Sequence, residues 1–102
     1  INLAFLLNVR AKDSTGDEAV TDKVLAKRIR QQVVDICLKI RQDKFDDRGD
    51  KYWVVATLEE AFFGLGDEEN YNKLKQYALS LVEADWERKS TDEQIAKLKD
   101  LI

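Results

Sequence analysis

No proline occurs among the 102 residues of this sequence, and glycine occurs only four times. Proline breaks or kinks helices and is common in loops and edge strands, so its absence favours long helices that are joined by short turns. No stretch of the sequence alternates apolar and polar residues as a half-buried strand does. The sequence therefore predicts an all-α fold.

Five segments carry apolar residues at spacings of three and four, and we interpret them as five helices. They are Asn2 to Lys12, Thr21-Asp22 to about Phe45, Lys51 to Leu65, Asp67 or Glu68 to Ala84, and Ser90 to Ile102. Gly66 suits a left-handed cap after the third helix, and Ser90 with Glu93 has the spacing of a capping box. We therefore expect a single domain with a first hairpin (1–45), a second hairpin (51–84) and a capping helix (90–102).

Composition argues against several classes of partner. The net charge is −3 and the charges are mixed along the chain, whereas nucleic-acid binding requires a concentrated basic surface. No apolar run approaches the roughly 20 residues of a membrane span. The single cysteine, Cys37, excludes an internal disulfide and fits a reducing compartment. We therefore expect a cytoplasmic protein that binds neither nucleic acid nor membrane.

The residues that usually carry catalysis are scarce. The sequence contains no histidine, which removes the commonest general base and the commonest nitrogen ligand for metals. Cys37 falls on the apolar stripe of its helix, where a buried structural cysteine is expected. Glu59 and Glu60 are adjacent on a helix and point about 100° apart, so they do not share a proton or a metal. We expect no catalytic residue.

The acidic turn after the second helix resembles a calcium-binding loop only superficially. Such a loop needs a glycine at its sixth position and a glutamate at its twelfth. Counted from Asp43, those positions hold Arg48 and Val54. The sequence therefore predicts a solvated turn, with neither a metal nor a cofactor.

The segment from Tyr52 to Leu81 resembles one tetratricopeptide unit, which is a helix–turn–helix of about 34 residues. The apolar, aromatic, turn and small-then-large positions of that unit are matched by Leu58, Phe62, Gly66-Asp67 and Ala78-Leu79. Glu59 stands where the unit has a small residue. The resemblance implies a tetratricopeptide-like hairpin over 51–84.

A wider resemblance covers nearly the whole chain. Its most specific pieces are Ile1-Asn2, Leu6-Leu7 and Tyr52-Trp53, followed by the Gly-Asp turn and a lone Trp86. This order is similar to the C-terminal part of the TRAFs-binding domain family, which includes the central regulatory region of the apoptosis signal-regulating kinases and also bacterial proteins. The resemblance implies a right-handed tetratricopeptide-like solenoid that acts as a scaffold or regulator and has no chemistry of its own.

We therefore expect a non-catalytic module that binds protein partners. The candidate protein-binding residues are Tyr52, Phe63, Glu59 and Trp86, with Tyr52 and Phe63 expected to reach a groove surface. The other aromatic side chains on the helix stripes, Trp53 among them, are expected in the core. The alternative is an accessory domain that regulates in cis a kinase or NTPase encoded elsewhere in a longer chain.

The apolar run from Ile1 to Val9 carries a further expectation. Soluble proteins usually begin with polar, loosely held residues, so this run suggests a piece of a longer helical-repeat protein. We expect the first helix to expose apolar residues, including Leu3 and Leu7, and the isolated piece to form a homo-oligomer through them.

Overall fold

The computed structural model describes residues 2–13, 16–42 and 48–101, and these residues form five helices with no strand among them. The helices are α1 (Asn2–Asp13), α2 (Asp17–Gln42), α3 (Lys51–Leu65), α4 (Glu68–Leu81) and α5 (Asp85–Leu101). The predicted all-α fold is confirmed. The predicted end of the second helix at Phe45, and most of the acidic turn that begins at Asp43, lie outside the described residues.

The second helix begins earlier than predicted, at Asp17 and not at Thr21-Asp22. The backbone N–H of Val20 already donates to the carbonyl of Gly16 at 3.3 Å. Asp17 and Glu18, which the sequence pattern placed in a loop, supply negative charge to the first turn, where it stabilises the helix dipole.

The fifth helix also begins earlier, at Asp85 and not at Ser90. The Glu87 carboxylate accepts hydrogen bonds from the backbone N–H groups of Glu83 and Ala84 through the same oxygen, Oε1, at 2.9 and 3.0 Å. The predicted cap at Ser90 is therefore wrong. The helix begins five residues before Ser90, and Glu87 accepts hydrogen bonds from N–H groups that would otherwise be free at this end of the helix. The fourth helix ends at Leu81, three residues before the predicted end.

The turn between α3 and α4 confirms the predicted left-handed glycine cap. Gly66 has φ +77°, which a residue without Cβ adopts at no steric cost. Its N–H donates to the carbonyl of Phe63 at 3.1 Å, and the N–H of Asp67 donates to that of Phe62 at 3.0 Å. The Asp67 carboxylate then caps α4 by accepting from the N–H of Asn70 at 3.1 Å. This turn fixes the second hairpin.

The helices pack as two hairpins, α1 with α2 and α3 with α4, which meet where α2 contacts α3. The fifth helix lies against α3 and α1, and each of these two helices is the first helix of its hairpin. The principal core lies between α2, α3 and α4, and its buried side chains include Val34, Cys37, Val55, Leu58, Leu74 and Ala78. Burial raises the pKa of the Cys37 thiol, as expected for a structural cysteine. Ile95 and Leu98 are buried on the inner face of α5.

The first helix exposes part of the apolar face that the sequence predicts. Leu3 and Leu6 are exposed, whereas Leu7 is buried and belongs to a small cluster with Ala4 and Ala26. Self-association through α1 therefore stays a prediction that depends on Leu3 and Leu6 and not on Leu7.

Candidate interaction groove between the third and fifth helices

Two tryptophan side chains form an exposed aromatic surface where α3 meets α5. The rings of Trp53 and Trp86 lie 5.8 Å apart between centroids, with 40° between their planes. Trp86 is 63% exposed and Trp53 is 38% exposed. The expectation that Trp53 lies in the core is therefore wrong. We call these two residues the tryptophan pair.

Tyr52 lies beneath the tryptophan pair and does not reach the surface, so that expectation is also wrong. Its side chain is buried, and its hydroxyl donates to the backbone carbonyl of Glu87 at 3.1 Å. The same hydroxyl lies 2.7 Å from Thr91 Oγ1, and the Thr91 hydroxyl is within 3.2 Å of the Glu87 carbonyl. Burial raises the pKa of the Tyr52 phenol. Tyr52 thus fixes the start of α3 to the first two turns of α5.

Glu59 is also buried, and it holds α3 to α5 through an ion pair. Its side chain is 0% exposed and accepts two hydrogen bonds from the Arg88 guanidinium, at 2.9 Å from Nη1 and 2.7 Å from Nη2. Arg88 also donates to the Asp92 carboxylate at 2.6 and 2.9 Å. The hydrogen bonds from Arg88 to Glu59, followed by those to Asp92, raise the pKa of the guanidinium. In this conformation Glu59 fixes two helices together and is not available to a partner.

A groove of about 280 Å³ begins at Trp53, one member of the tryptophan pair, and runs between α3 and α5. Its lining residues are Trp53, Ala56, Thr57, Glu60, Ser90, Thr91, Glu93, Gln94 and Lys97. Glu60 is almost fully buried at this groove and accepts a hydrogen bond from Gln94 Nε2 at 3.2 Å. Burial raises the pKa of the Glu60 carboxyl, while the hydrogen bond from Gln94 opposes that shift. The groove therefore combines an aromatic end with a polar remainder.

Phe63 lies at a different place, near the turn between α3 and α4. Its ring packs 5.2 Å from that of Tyr71, beside a concavity of about 320 Å³ that Gly66 and Glu68 also line. The four predicted protein-binding residues therefore do not form one site. Trp86 is exposed beside Trp53, Tyr52 and Glu59 are buried where α3 meets α5, and Phe63 is near the opposite end of α3.

Sequence reasoning missed Trp53, although one signal for it exists. Adjacent residues on a helix point about 100° apart, so only one of Tyr52 and Trp53 is expected to point straight into a helix interface. The choice between them is not readable from the pattern, because apolar residues surround most of the circumference of α3. The structure places Tyr52 inside and Trp53 at the surface.

Residues 2–13, 16–42 and 48–101 contain no group of three or more histidine, cysteine, aspartate and glutamate side chains that could hold a metal ion. None of the helices in these ranges is both long enough and apolar enough to cross a lipid bilayer.

Comparison of the chain with protein-family models, with curated proteins and with solved structures finds no match. Function is therefore inferred from the tryptophan pair and the groove themselves.

Removing the Tyr52 hydroxyl is expected to weaken the attachment of α3 to α5, since this hydroxyl bonds to Glu87 and Thr91. The Tyr52→Phe variant leaves Thr91 Oγ1 without its 2.7 Å partner, so we expect a loss of about 1–2 kcal/mol in the free energy of unfolding. Urea unfolding measures this loss. Tyr71→Phe is the matched control, and equal losses in the two variants would contradict the assigned role of Tyr52.

Proposed function

We propose that this chain is a non-catalytic protein-interaction module in which the tryptophan pair and its adjoining groove bind a segment of a partner protein. The single observation that carries the proposal is the exposure of two tryptophan side chains in contact with each other. Tryptophan is among the residues most enriched at interaction hot spots, and a large exposed aromatic pair favours burial against a partner.

The surroundings of the tryptophan pair support this function. The Tyr52 hydroxyl and the Glu59–Arg88 ion pair hold α3 and α5 in one arrangement. A preorganised surface loses less conformational entropy on binding, which favours affinity. Beside it, the groove supplies hydroxyl, amide and charged groups that can form the polar contacts of an extended segment.

We also propose that the two hairpins represent tetratricopeptide-like units and that the chain is similar in role to the TRAFs-binding domain family. Three features support this proposal. The hairpins pack side by side through α2 and α3, α5 contacts α3 as the first helix of a following unit would, and the Gly66 turn closes the second hairpin. The contact between α5 and α1 departs from a simple linear stack, in which each unit contacts only its neighbours.

The tryptophan pair provides its own assay, because Trp53 and Trp86 are the two tryptophans of the sequence. Peptides selected from a displayed random library against the wild-type chain are expected to change its intrinsic fluorescence on binding. In Trp86→Ala we expect affinity for the selected peptides to fall about 30-fold or more, as at an interaction hot spot. Because Trp86 is largely exposed, the free energy of unfolding should change by less than about 1 kcal/mol.

Leu79→Ala is the matched control, since Leu79 is an exposed apolar residue on α4, away from the groove. It is expected to bind the selected peptides like the wild type. Peptides that bind Trp86→Ala and the wild type equally well, or a library that yields no binder, would overturn the proposed function.

A further inference from the structure

The polar part of the groove between α3 and α5 is built from one face of each helix. On α3, Trp53 is followed by Thr57 after four residues and by Glu60 after three more. On α5, Ser90 is followed by Glu93 after three residues. Residues three and four apart share a helix face, so each wall presents a hydroxyl and then a carboxylate. Hydroxyl oxygens can accept hydrogen bonds and ionised carboxylates only accept them, so the groove is rich in acceptors.

Glu60 lies in the wall of the groove with one of its carboxylate oxygens unused. Its side chain is 8% exposed, and Oε1 accepts a hydrogen bond from Gln94 Nε2 at 3.2 Å. The other oxygen, Oε2, has no hydrogen-bond partner among the described residues and retains contact with water. Burial raises the pKa of the Glu60 carboxyl, and although the charge of Arg30 opposes this shift, the two side chains form no ion pair. An almost buried carboxylate with a free oxygen favours a hydrogen-bond donor that enters through the groove.

Glu93 supplies the more accessible charge of the groove. Its side chain is exposed and forms no hydrogen bond or ion pair with another described residue. Because Gln94, the next residue, bonds to Glu60, the two carboxylates lie at the same level of the groove. The lining contains one cation, Lys97, which lies four residues beyond Glu93 on α5. With two acidic side chains and one basic side chain, the groove complements a positive charge better than a negative one.

Among protein side chains, arginine fits these groups best. Its guanidinium has five N–H donors and no acceptor, so it can donate to several oxygens at once while staying charged. Lysine carries the same charge as a compact ammonium with three donors. An acidic or apolar side chain at this position would leave the carboxylates without a donor. Trp53 adds a preference of the same sign, since a tryptophan face attracts cations.

The distance from the tryptophan pair to the carboxylates sets the spacing of the partner's residues. Trp53 and Glu60 are seven residues apart on α3, which corresponds to about 10 Å along the helix. An extended peptide advances about 3.3 Å per residue, so three residues cover this distance. We propose, building on the proposed function, that the partner segment places an arginine at Glu60 and Glu93, three residues from the apolar residue that packs on the tryptophan pair.

The first test is the sequence of selected peptides. A displayed library of random peptides without tryptophan is selected against the wild-type chain, and binders are kept whose affinity falls in Trp86→Ala. Most of these binders are expected to contain an arginine three residues from an aromatic or large aliphatic residue. Citrulline has nearly the shape of arginine but no charge, so its substitution for that arginine is expected to lower the affinity about tenfold or more. The fluorescence of the two tryptophans measures the affinity.

Matched substitutions on α5 determine the sign of the charge that the groove binds. Glu93→Gln, at an exposed position, is expected to weaken binding of the arginine peptides about fivefold. Lys97→Gln, one turn further along the same groove, is expected to leave the affinity unchanged or to raise it, because a like charge has been removed. Asp100→Asn removes a carboxylate from an exposed position outside the groove lining, and it is expected to change the affinity less than about twofold.

The outcomes separate this inference from the proposed function. Selected peptides that depend on Trp86 but lack such an arginine would overturn the arginine site and leave the proposed function intact. The same conclusion would follow if Glu93→Gln and Asp100→Asn bound the peptides equally well, or if Lys97→Gln weakened binding and Glu93→Gln strengthened it. A library that yields no binder dependent on Trp86 would overturn the proposed function, and the arginine site with it.

Discussion

Replacement of Arg88 by methionine is expected to lower the free energy of unfolding by about 3–5 kcal/mol, because it leaves the Glu59 carboxylate buried without its partner. Glu59 is 0% exposed, and its two hydrogen bonds from Arg88 are 2.7 and 2.9 Å long. Methionine preserves much of the length of the side chain, so the loss reports on the charge and not on packing. Chemical unfolding, followed by circular dichroism, measures the change.

Two further variants assign this loss to the ion pair. Lys89→Met removes a positive charge from the next, exposed position on α5 and is expected to change the free energy of unfolding by less than about 0.5 kcal/mol. Glu59→Met/Arg88→Met replaces both charges by apolar groups and is expected to recover most of the stability, as in other buried ion pairs. A single Arg88→Met variant as stable as Lys89→Met would show that the pair does not hold α3 to α5.

The second large effect is expected at Gly64, where alanine should lower the free energy of unfolding by about 1–3 kcal/mol through overpacking. The added Cβ would overlap Nε and Cδ of Arg30 and would lie 2.7 Å from Cζ. Arg30 is 1% exposed, so its side chain must take another buried position or α2 and α3 must move apart. The sign is unusual, because alanine in place of glycine within a helix ordinarily stabilises it.

The contact between Gly64 and Arg30 is tested by measuring the effect of Gly64→Ala a second time in a chain that already carries Arg30→Ala. Without the guanidinium, Gly64→Ala meets no overlap with Arg30 and is expected to stabilise the chain by up to about 1 kcal/mol through helix propensity. Gly49→Ala is the control, since a Cβ there meets nothing within 4 Å and should change the stability by less than about 0.5 kcal/mol. The same destabilisation by Gly64→Ala in both backgrounds would contradict the close contact with Arg30.

The number and type of the helices could be predicted because apolar periodicity is a local property of the sequence. The helix starts were less accurate, since the side chain that caps α5 is Glu87 and not the better-known Ser90–Glu93 pattern. The Gly66 turn was predictable because its conformation depends on a single residue type. Local signals therefore predict which helices form more accurately than they predict the residues at which those helices begin and end.

The candidate site was less predictable than the fold, because its geometry depends on contacts between distant residues. Glu59 and Arg88 are 29 positions apart, and no local pattern shows that they pair. The sequence identified Tyr52 and Glu59 as unusual residues but assigned them to a partner, whereas they hold α3 to α5. Trp86 contacts the groove-lining Trp53, which was itself expected in the core.

The contacts of α5 with one helix of each hairpin also affect how the chain folds. In a linear array of repeats each unit contacts only its neighbours, so units at the ends can unfold separately. The contact between α5 and α1 joins the first and the last of the five helices along the chain, and it adds contacts of long sequence separation. Such contacts slow folding, since loop entropy is lost before they form, and they couple the unfolding of the first hairpin to that of the second.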